Sequence, residues 1–385
     1  MTAPDPSRMK ADLARLVGMN SSNPPGDEHE AAEFIATLLR DAGFSAVLDP
    51  FKPGRTNVVA TLANGDGPVF AFNTHMDVVP AGEGWSSPAF HLRESDGKLF
   101  GRGACDAKGP LIAMVEGLRM LAADRGTWQG TLLGVFVADE EVGSEGARRY
   151  VTGRPKVDYV VIGEPTSNAT VIAHKGSLRP VIRVHGISAH SSTPDLGDNA
   201  IYNAARFVTL VEQHYLSVVR LRTHPLVGNA TLTVTRFNAG LADNVIPDHC
   251  DLMLDRRLVP GEQDDQVKQE IAGLLSEVKA RFNIDCECLR YHPTTGGATE
   301  TPPDAAIVTA SLAAGTRYGV TNNKPLGFQG GCDLVHFRSI GALGTVVGPG
   351  SLAVAHKPDE YVPVGEFVSA SLIYRDIAAT MLGRT

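Results

Sequence analysis

Two histidines and a run of carboxylates stand where short apolar segments end. "FNTHMDVVP" (72–80) carries His75 and Asp77, "TLLGVFVADEE" carries Asp139, Glu140 and Glu141, "DYVVIGEPT" carries Glu164, and "LGTVVGPGSLAVAHKP" carries His356. A further acid, Asp106, lies in the glycine-rich "GRGACDAKGP" directly ahead of a helical pattern. Mixed imidazole and carboxylate ligation without thiolates suits a catalytic zinc, cobalt or manganese centre better than a structural zinc. Two histidines with three or four acids exceed what one catalytic zinc with an open position needs; they suit two ions sharing one acid. His75 and Asp77 are two apart in an extended segment, so both side chains face one way and Asp77 can hydrogen-bond the ring nitrogen turned away from a metal. Glu140 and Glu141 are adjacent and cannot serve one ion in the same manner. One is expected to bind metal, and the other to face the attacking water as general base.

Other chemistries fit less well. "GRGACD" starts like a dinucleotide fingerprint, but its sixth position is Asp106, which would meet a pyrophosphate head-on. Neither a G-x-S-x-G elbow nor a G-x-x-x-x-G-K-[ST] loop is present. "HEAAE" (29–33) lacks the second histidine of H-E-x-x-H and reads as a solvated helix face. Cys286 and Cys288 in "DCEC" have no second cysteine pair at finger spacing and read as ordinary strand or loop cysteines. Metal-assisted hydrolysis remains.

The elements that must position these groups follow from hydrophobic periodicity. "NVVATL", "PVFAFN", "TLLGVFVA", "DYVVIG" and "LGTVVG" are short apolar runs separated by helical patterns, which predicts an α/β sheet with helices on its faces. Residues 27–43, opening on a possible Asp27 cap and closing on Gly43, and residues 108–124 are the clearest helices. In open α/β sheets ligands gather beyond the carboxyl ends of the strands, where these acids and histidines fall. From about Lys175 the style changes to alternating half-exposed strands, "SLRPVIRVHG", "TLTVTRFNAG" and "CDLMLDRRLV", with helical stretches near 198–219 and 262–280. The predicted organisation is a metal-binding domain of residues 1–176 and 291–385 interrupted by an α+β insert, 177–290.

The chain has 385 residues, 43% of them hydrophobic, enough for two domains of the usual size. Its 35 Lys+Arg against 43 Asp+Glu leave a formal charge of −8 with no basic run, which disfavours nucleic acid and anionic membranes as partners and favours a small molecule. No apolar stretch approaches the ~20 residues of a membrane span, and the first twenty residues lack a continuous apolar segment of the signal-peptide kind. Five cysteines are too few and too scattered for a disulfide framework. A cytoplasmic protein is expected.

Seven motifs in order, "THMDVVP", "GRGACDAKGP", "ADEEVGSEGA", "IGEPT", "GISAHSSTP", "NVIPDHCDLMLDRRLVPGE" and "GPGSLAVAHKPDEYVP", resemble the di-zinc aminoacylase and carboxypeptidase metallopeptidase superfamily, the acetylornithine deacetylase and succinyl-diaminopimelate desuccinylase family. The likeness spans nearly the whole chain and implies a zinc-peptidase-like catalytic domain, a mixed sheet flanked by helices, with the insert as lid and homodimerisation domain. It further implies two divalent metals, zinc or alternatively cobalt or manganese. Asp106 would bridge them, with His75 and Glu164 on one and Glu141 and His356 on the other, Asp77 orienting His75 and Glu140 as base. A cis peptide would follow Asp106. His190 would stabilise the oxyanion in the partner subunit's site, Asn244 and Arg257 would hold the substrate's α-carboxylate, and Gly330 and Gly331 would contact substrate, while Arg256 faces away. The implied reaction is hydrolysis of an N-acyl-L-amino acid by a metal-bridging water, with acetylornithine as the leading substrate. A desuccinylase, a glutamate carboxypeptidase and a dipeptidase are the alternatives, and a non-catalytic binding protein would be expected to have lost a ligand or the base.

Overall fold

The computed structural model describes residues 2–383. Its contacts divide the chain into two compact units. Among the described residues the first comprises 2–172, 300–327 and 332–383, and the second 173–299 and 328–331.

A nine-stranded mixed sheet organises the first unit. Seven of its strands run in the order Ser45–Lys52, Arg55–Asn64, Gly130–Val137, Val69–His75, Tyr159–Ile162, Leu343–Val346, Val171–His174. Four neighbours, Gly130–Val137, Val69–His75, Tyr159–Ile162 and Leu343–Val346, are mutually parallel. Parallel strands are covered on both faces, which is why their sequences are continuous apolar runs rather than alternating ones. Phe70, Phe72, Leu132 and Phe136 are fully buried, each worth roughly 1.5–3 kcal/mol of transfer free energy. Because the four are parallel, their carboxyl ends lie along one edge, and the side chains that follow them converge there.

Helix Lys108–Ala123 packs on the strands Val69–His75 and Gly130–Val137, and helix Val364–Met381 packs on that helix in turn. Nearly every residue of Lys108–Leu121 is buried, as its small and apolar composition requires. Helix His29–Asp41 lies on the two outer antiparallel strands. Its cap differs from the expected one: Glu28 is the N-cap residue and makes no side-chain capping bond, while Asp27 is exposed outside the helix. Glu28 is fully buried and paired with Arg55 instead, so an ion pair between distant residues replaces local capping.

The second unit is a four-stranded antiparallel sheet, ordered Thr231–Ala239, His249–Leu258, Gly176–His185, Cys286–His292. Strand His249–Leu258 alternates strictly between half-buried and buried positions, the signature of a sheet with one face on a core. Val267, Ile271, Leu275 and Val278 of helix Asp264–Phe282 and Phe207 of helix Ala200–Leu210 join Leu252 and Leu254 in that core. Cys286 and Cys288 are free thiols packed against it. Among the described residues no helix is long and apolar enough to cross a membrane.

Candidate metal centre

His75 ends its strand, Asp139–Glu141 follow Val137, and Glu164 follows Ile162 after Gly163. A Cβ on Gly163 would stand 2.9 Å from Met114 Cε and 3.1 Å from Pro110 Cβ. A side chain there would crowd the helix and the neighbouring Thr74, so glycine suits the close approach that precedes Glu164. Asp106 precedes helix Lys108–Ala123, and the Asp106–Ala107 peptide is cis.

Asp106 divides its two oxygens between two imidazoles. Oδ1 is 3.2 Å from His75 Nε2 and Oδ2 is 3.3 Å from His356 Nε2. Glu164 Oε1 adds to the His75 side at 3.9 Å, and Glu141 Oε2 to the His356 side at 3.2 Å. Ligand atoms of His75, Asp106 and Glu141 lie within 4.8 Å of one another. One carboxylate therefore stands between two imidazole–carboxylate pairs.

The electrostatics of this cluster call for cations. Asp106, Glu140 and Glu164 are buried. Burial raises the Glu140 and Glu164 carboxyls well above the usual carboxylate range, and burial with the neighbouring Asp106 charge raises Glu141. Burial also opposes ionisation of Asp106, yet the His356 and His75 imidazoles outweigh it and hold this acid well below the ordinary range. His356 rises to about 10 through its bonds to Asp106 and Glu141. Glu141 Oε1 is buried with no hydrogen-bond partner. His75 Nδ1 faces the Asp77 carbonyl at 2.9 Å, an acceptor only, so Nδ1 carries a proton and Nε2 is the atom turned toward Asp106. Burial works against a charged His75, yet its bonds to Asp106 and Asp77 outweigh it and raise the ring well above the usual histidine range, so without metal both imidazoles are held as cations among the acids. Divalent cations in place of those protons would neutralise the crowded acids and satisfy the orphaned Glu141 oxygen. The donor set fits a pair of them.

Asp77 lies behind the cluster. Its Oδ1 is 3.6 Å from His75 Nδ1, and its carboxylate accepts the backbone amides of Glu140 and Glu141 at 3.1 Å each. Glu360, fully buried and paired with Arg102, accepts the amides of Cys105 and Asp106 at 2.8 and 2.9 Å. Sequence reasoning passed over Glu360 although "DEY" follows His356 closely, because a helper of backbone amides has no residue-type signature.

Within the second unit, His190 and Asn244 are brought together. Strand Ala189–His190 pairs with Val245–Ile246, the Ser191 amide donates to the Asn244 carbonyl at 3.0 Å, and both residues are exposed. Ser192 holds His190 Nδ1 at 2.7 Å. Arg257 is on the half-buried face of its strand, with Nε 2.7 Å from Asp255 Oδ1, whereas Arg256 is fully buried and paired with Glu262. Gly331 packs where a Cβ would be 3.2 Å from Thr295 Cβ, and a Cβ on Gly330 would meet the Phe328 ring at 2.9 Å.

Comparison with known proteins agrees with this architecture. Residues 71–380 match the model of peptidase family M20/M25/M40. The chain is 31% identical over 391 residues to acetylornithine deacetylase of Myxococcus xanthus, covering 97% of this chain and 98% of that one. It is 28% identical over 413 residues to a probable succinyl-diaminopimelate desuccinylase of Staphylococcus epidermidis, covering 97% and 96%. Among solved structures, the YXEP protein of Bacillus subtilis, described as a dinuclear metal binding peptidase of the M20 family, superposes with a TM-score of 0.74 at 19% identity over 98% of both chains. The chain belongs to peptidase family M20/M25/M40 and is a metal-dependent hydrolase of amide or peptide bonds.

Proposed function

We propose that this protein hydrolyses the amide bond of an N-acyl-L-amino acid, with N-acetylornithine as the leading substrate. The observation that carries the reading is the Asp106 carboxylate shared between the His75–Glu164 and His356–Glu141 pairs. Those five side chains would hold two divalent cations, zinc first and cobalt or manganese as alternatives. When bound, such ions act as Lewis acids toward the amide carbonyl and lower the pKa of water.

Glu140, buried on the same turn as Glu141, takes the proton of the attacking water as its oxygen adds to the carbonyl carbon. The carbon–nitrogen bond then breaks, and the same carboxyl returns the proton to the departing amine. Asp77 fixes the His75 ring through its backbone carbonyl, with its carboxylate 3.6 Å from the same nitrogen, and that carboxylate holds the backbone of the acid pair. The second unit serves as lid and homodimerisation domain. In it His190 donates to the developing oxyanion of the partner's site, and Asn244 and Arg257 bind the α-carboxylate, for which a guanidinium fork is suited. Gly330 and Gly331, which match the family's substrate-contacting glycine turn, would contact the substrate. A cytoplasmic setting suits five free cysteines.

The relative from Myxococcus xanthus favours the N-acetyl substrate, and the one from Staphylococcus epidermidis keeps N-succinyl-diaminopimelate as a second reading. A hydrolysis screen over N-acetyl-amino acids, N-succinyl-diaminopimelate and free-amino dipeptides, with zinc or cobalt present, tests the choice. The highest kcat/KM is expected on an N-acetyl-L-amino acid. Cleavage confined to peptides with a free α-amino group would make the protein a dipeptidase.

A further inference from the structure

Asn23 sits in "SSNPPG", far in sequence from every group above, yet its side chain is 2% exposed and reaches the back of the centre. Its Nδ2 donates to Asp77 Oδ2 at 2.8 Å and to Asp139 Oδ1 at 3.1 Å. Its Oδ1 accepts from Arg55 Nη2 at 2.8 Å. The amide orientation is thereby fixed, since a guanidinium must face the oxygen and two carboxylates must face the NH2 group. The backbone is held as well: the Asn23 amide donates to the Val78 carbonyl at 2.8 Å, and the Val78 amide to the Ser21 carbonyl at 3.1 Å. This short stretch therefore runs alongside the residue that follows Asp77.

The two acids that Asn23 bridges bracket the turn bearing Glu140 and Glu141. Asp77 accepts both of their amides. Asp139, at φ +72°, accepts the Gly143 amide at 3.1 Å on its carbonyl and the Glu145 amide at 3.3 Å on its carboxylate. Arg55 closes the network by reaching Asp139 Oδ1 at 3.1 Å and Glu28. A Cβ on Gly26 would stand 2.0 Å from Arg55 Nη1, so that residue's lack of a side chain admits the guanidinium. Asparagine is the short side chain that offers two donors and an acceptor from one planar group. An aspartate would place a third carboxylate against two, and an alanine would leave Asp77 without its closest donor.

We infer that Asn23 is a positioning residue of this centre, acting through Asp77 and Asp139 to hold the turn that presents Glu140 and Glu141. The inference rests on the reading of Glu141 as a cation ligand. It carries a measurable consequence because outer groups that orient ligands typically change metal affinity ~10–100-fold when removed.

The test titrates the metal-free protein with Co²⁺ alone and follows its visible absorption in wild type, Asn23→Ala, Asp77→Ala and the double variant. Asn23→Ala should raise the Kd about tenfold, and the double variant should bind more tightly than the product of the two single losses, since the part of the Asn23 effect that passes through Asp77 is already lost in Asp77→Ala. A Kd within about twofold of wild type, or full additivity with Asp77→Ala, would overturn the inference. Asn23→Asp, of the same shape, is expected to show the same loss and replaces the alanine variant should that one not fold. Failure of both to fold would make Asn23 a stability residue and overturn the inference equally. Wild type that binds Co²⁺ but cleaves nothing in the substrate screen would defeat the proposed function alone. A wild type with no Co²⁺ affinity would defeat both.

Discussion

His174 should make this protein lose stability in mild acid, and His174→Gln should remove that loss. The residue ends strand Val171–His174 and is fully buried. Its Nδ1 donates to the Lys175 carbonyl at 2.9 Å, while Nε2 is buried with no hydrogen-bond partner. Protonation would place a charge and an unpaired donor in the interior, so burial pushes the imidazole down from 6.5 to about 4, against a small upward pull from the carbonyl. A histidine depressed in the folded state contributes stability that is fully present above its unfolded pKa and is lost as pH falls toward the folded one. The window is therefore pH 6.5 to about 4. At ~1.4 kcal/mol per unit, the full loss is about 3 kcal/mol, of which about 2 kcal/mol has gone by pH 5. Urea unfolding of both proteins at pH 7 and pH 5 isolates the term, because the remaining titrations are shared. The variant should be about 1 kcal/mol less stable at pH 7 from altered hydrogen bonding, but its decline to pH 5 should be about 2 kcal/mol smaller than that of wild type. Equal declines would refute the assignment of a neutral, unpartnered Nε2.

Two further outcomes follow from the centre. Glu140→Gln should retain cation binding, read by Co²⁺ titration, while turnover falls ~10²–10⁴-fold, the usual worth of a general base; unchanged turnover would exclude that role. Glu360→Gln keeps the shape but leaves Arg102 buried without its counter-charge. Thermal or urea unfolding should show a loss of roughly 3–5 kcal/mol, and a loss below about 1 kcal/mol would mean that Arg102 is compensated elsewhere.

Much of the fold is visible in local pattern. Continuous apolar runs mark strands covered on both faces, strict alternation marks the strand around Arg257, and helical spacing marks 108–124, because each records how a short segment meets solvent. Local pattern fails where a distant partner overrides it. Asp27 has the chemistry of a helix cap, but the chain starts its helix at Glu28, whose side chain is drawn to Arg55. The insert, read as 177–290, lies within a compact unit of 173–299 with Phe328–Gly331.

The sequence by itself determined which chemistry was available: imidazoles and carboxylates without thiolates, most of them following apolar runs and Asp106 just ahead of a helix. Residue types and spacing carry that information without any contact between segments. Only the tertiary structure decided how the groups share the work. Parallel pairing brought four strand ends to one edge, Asp106 came to stand between His75 and His356, Asn23 reached the Asp77 carboxylate, and Glu360 took the amides of Cys105 and Asp106. Those relations are hydrogen bonds and ion pairs between residues remote in sequence, and no periodicity along the chain encodes them.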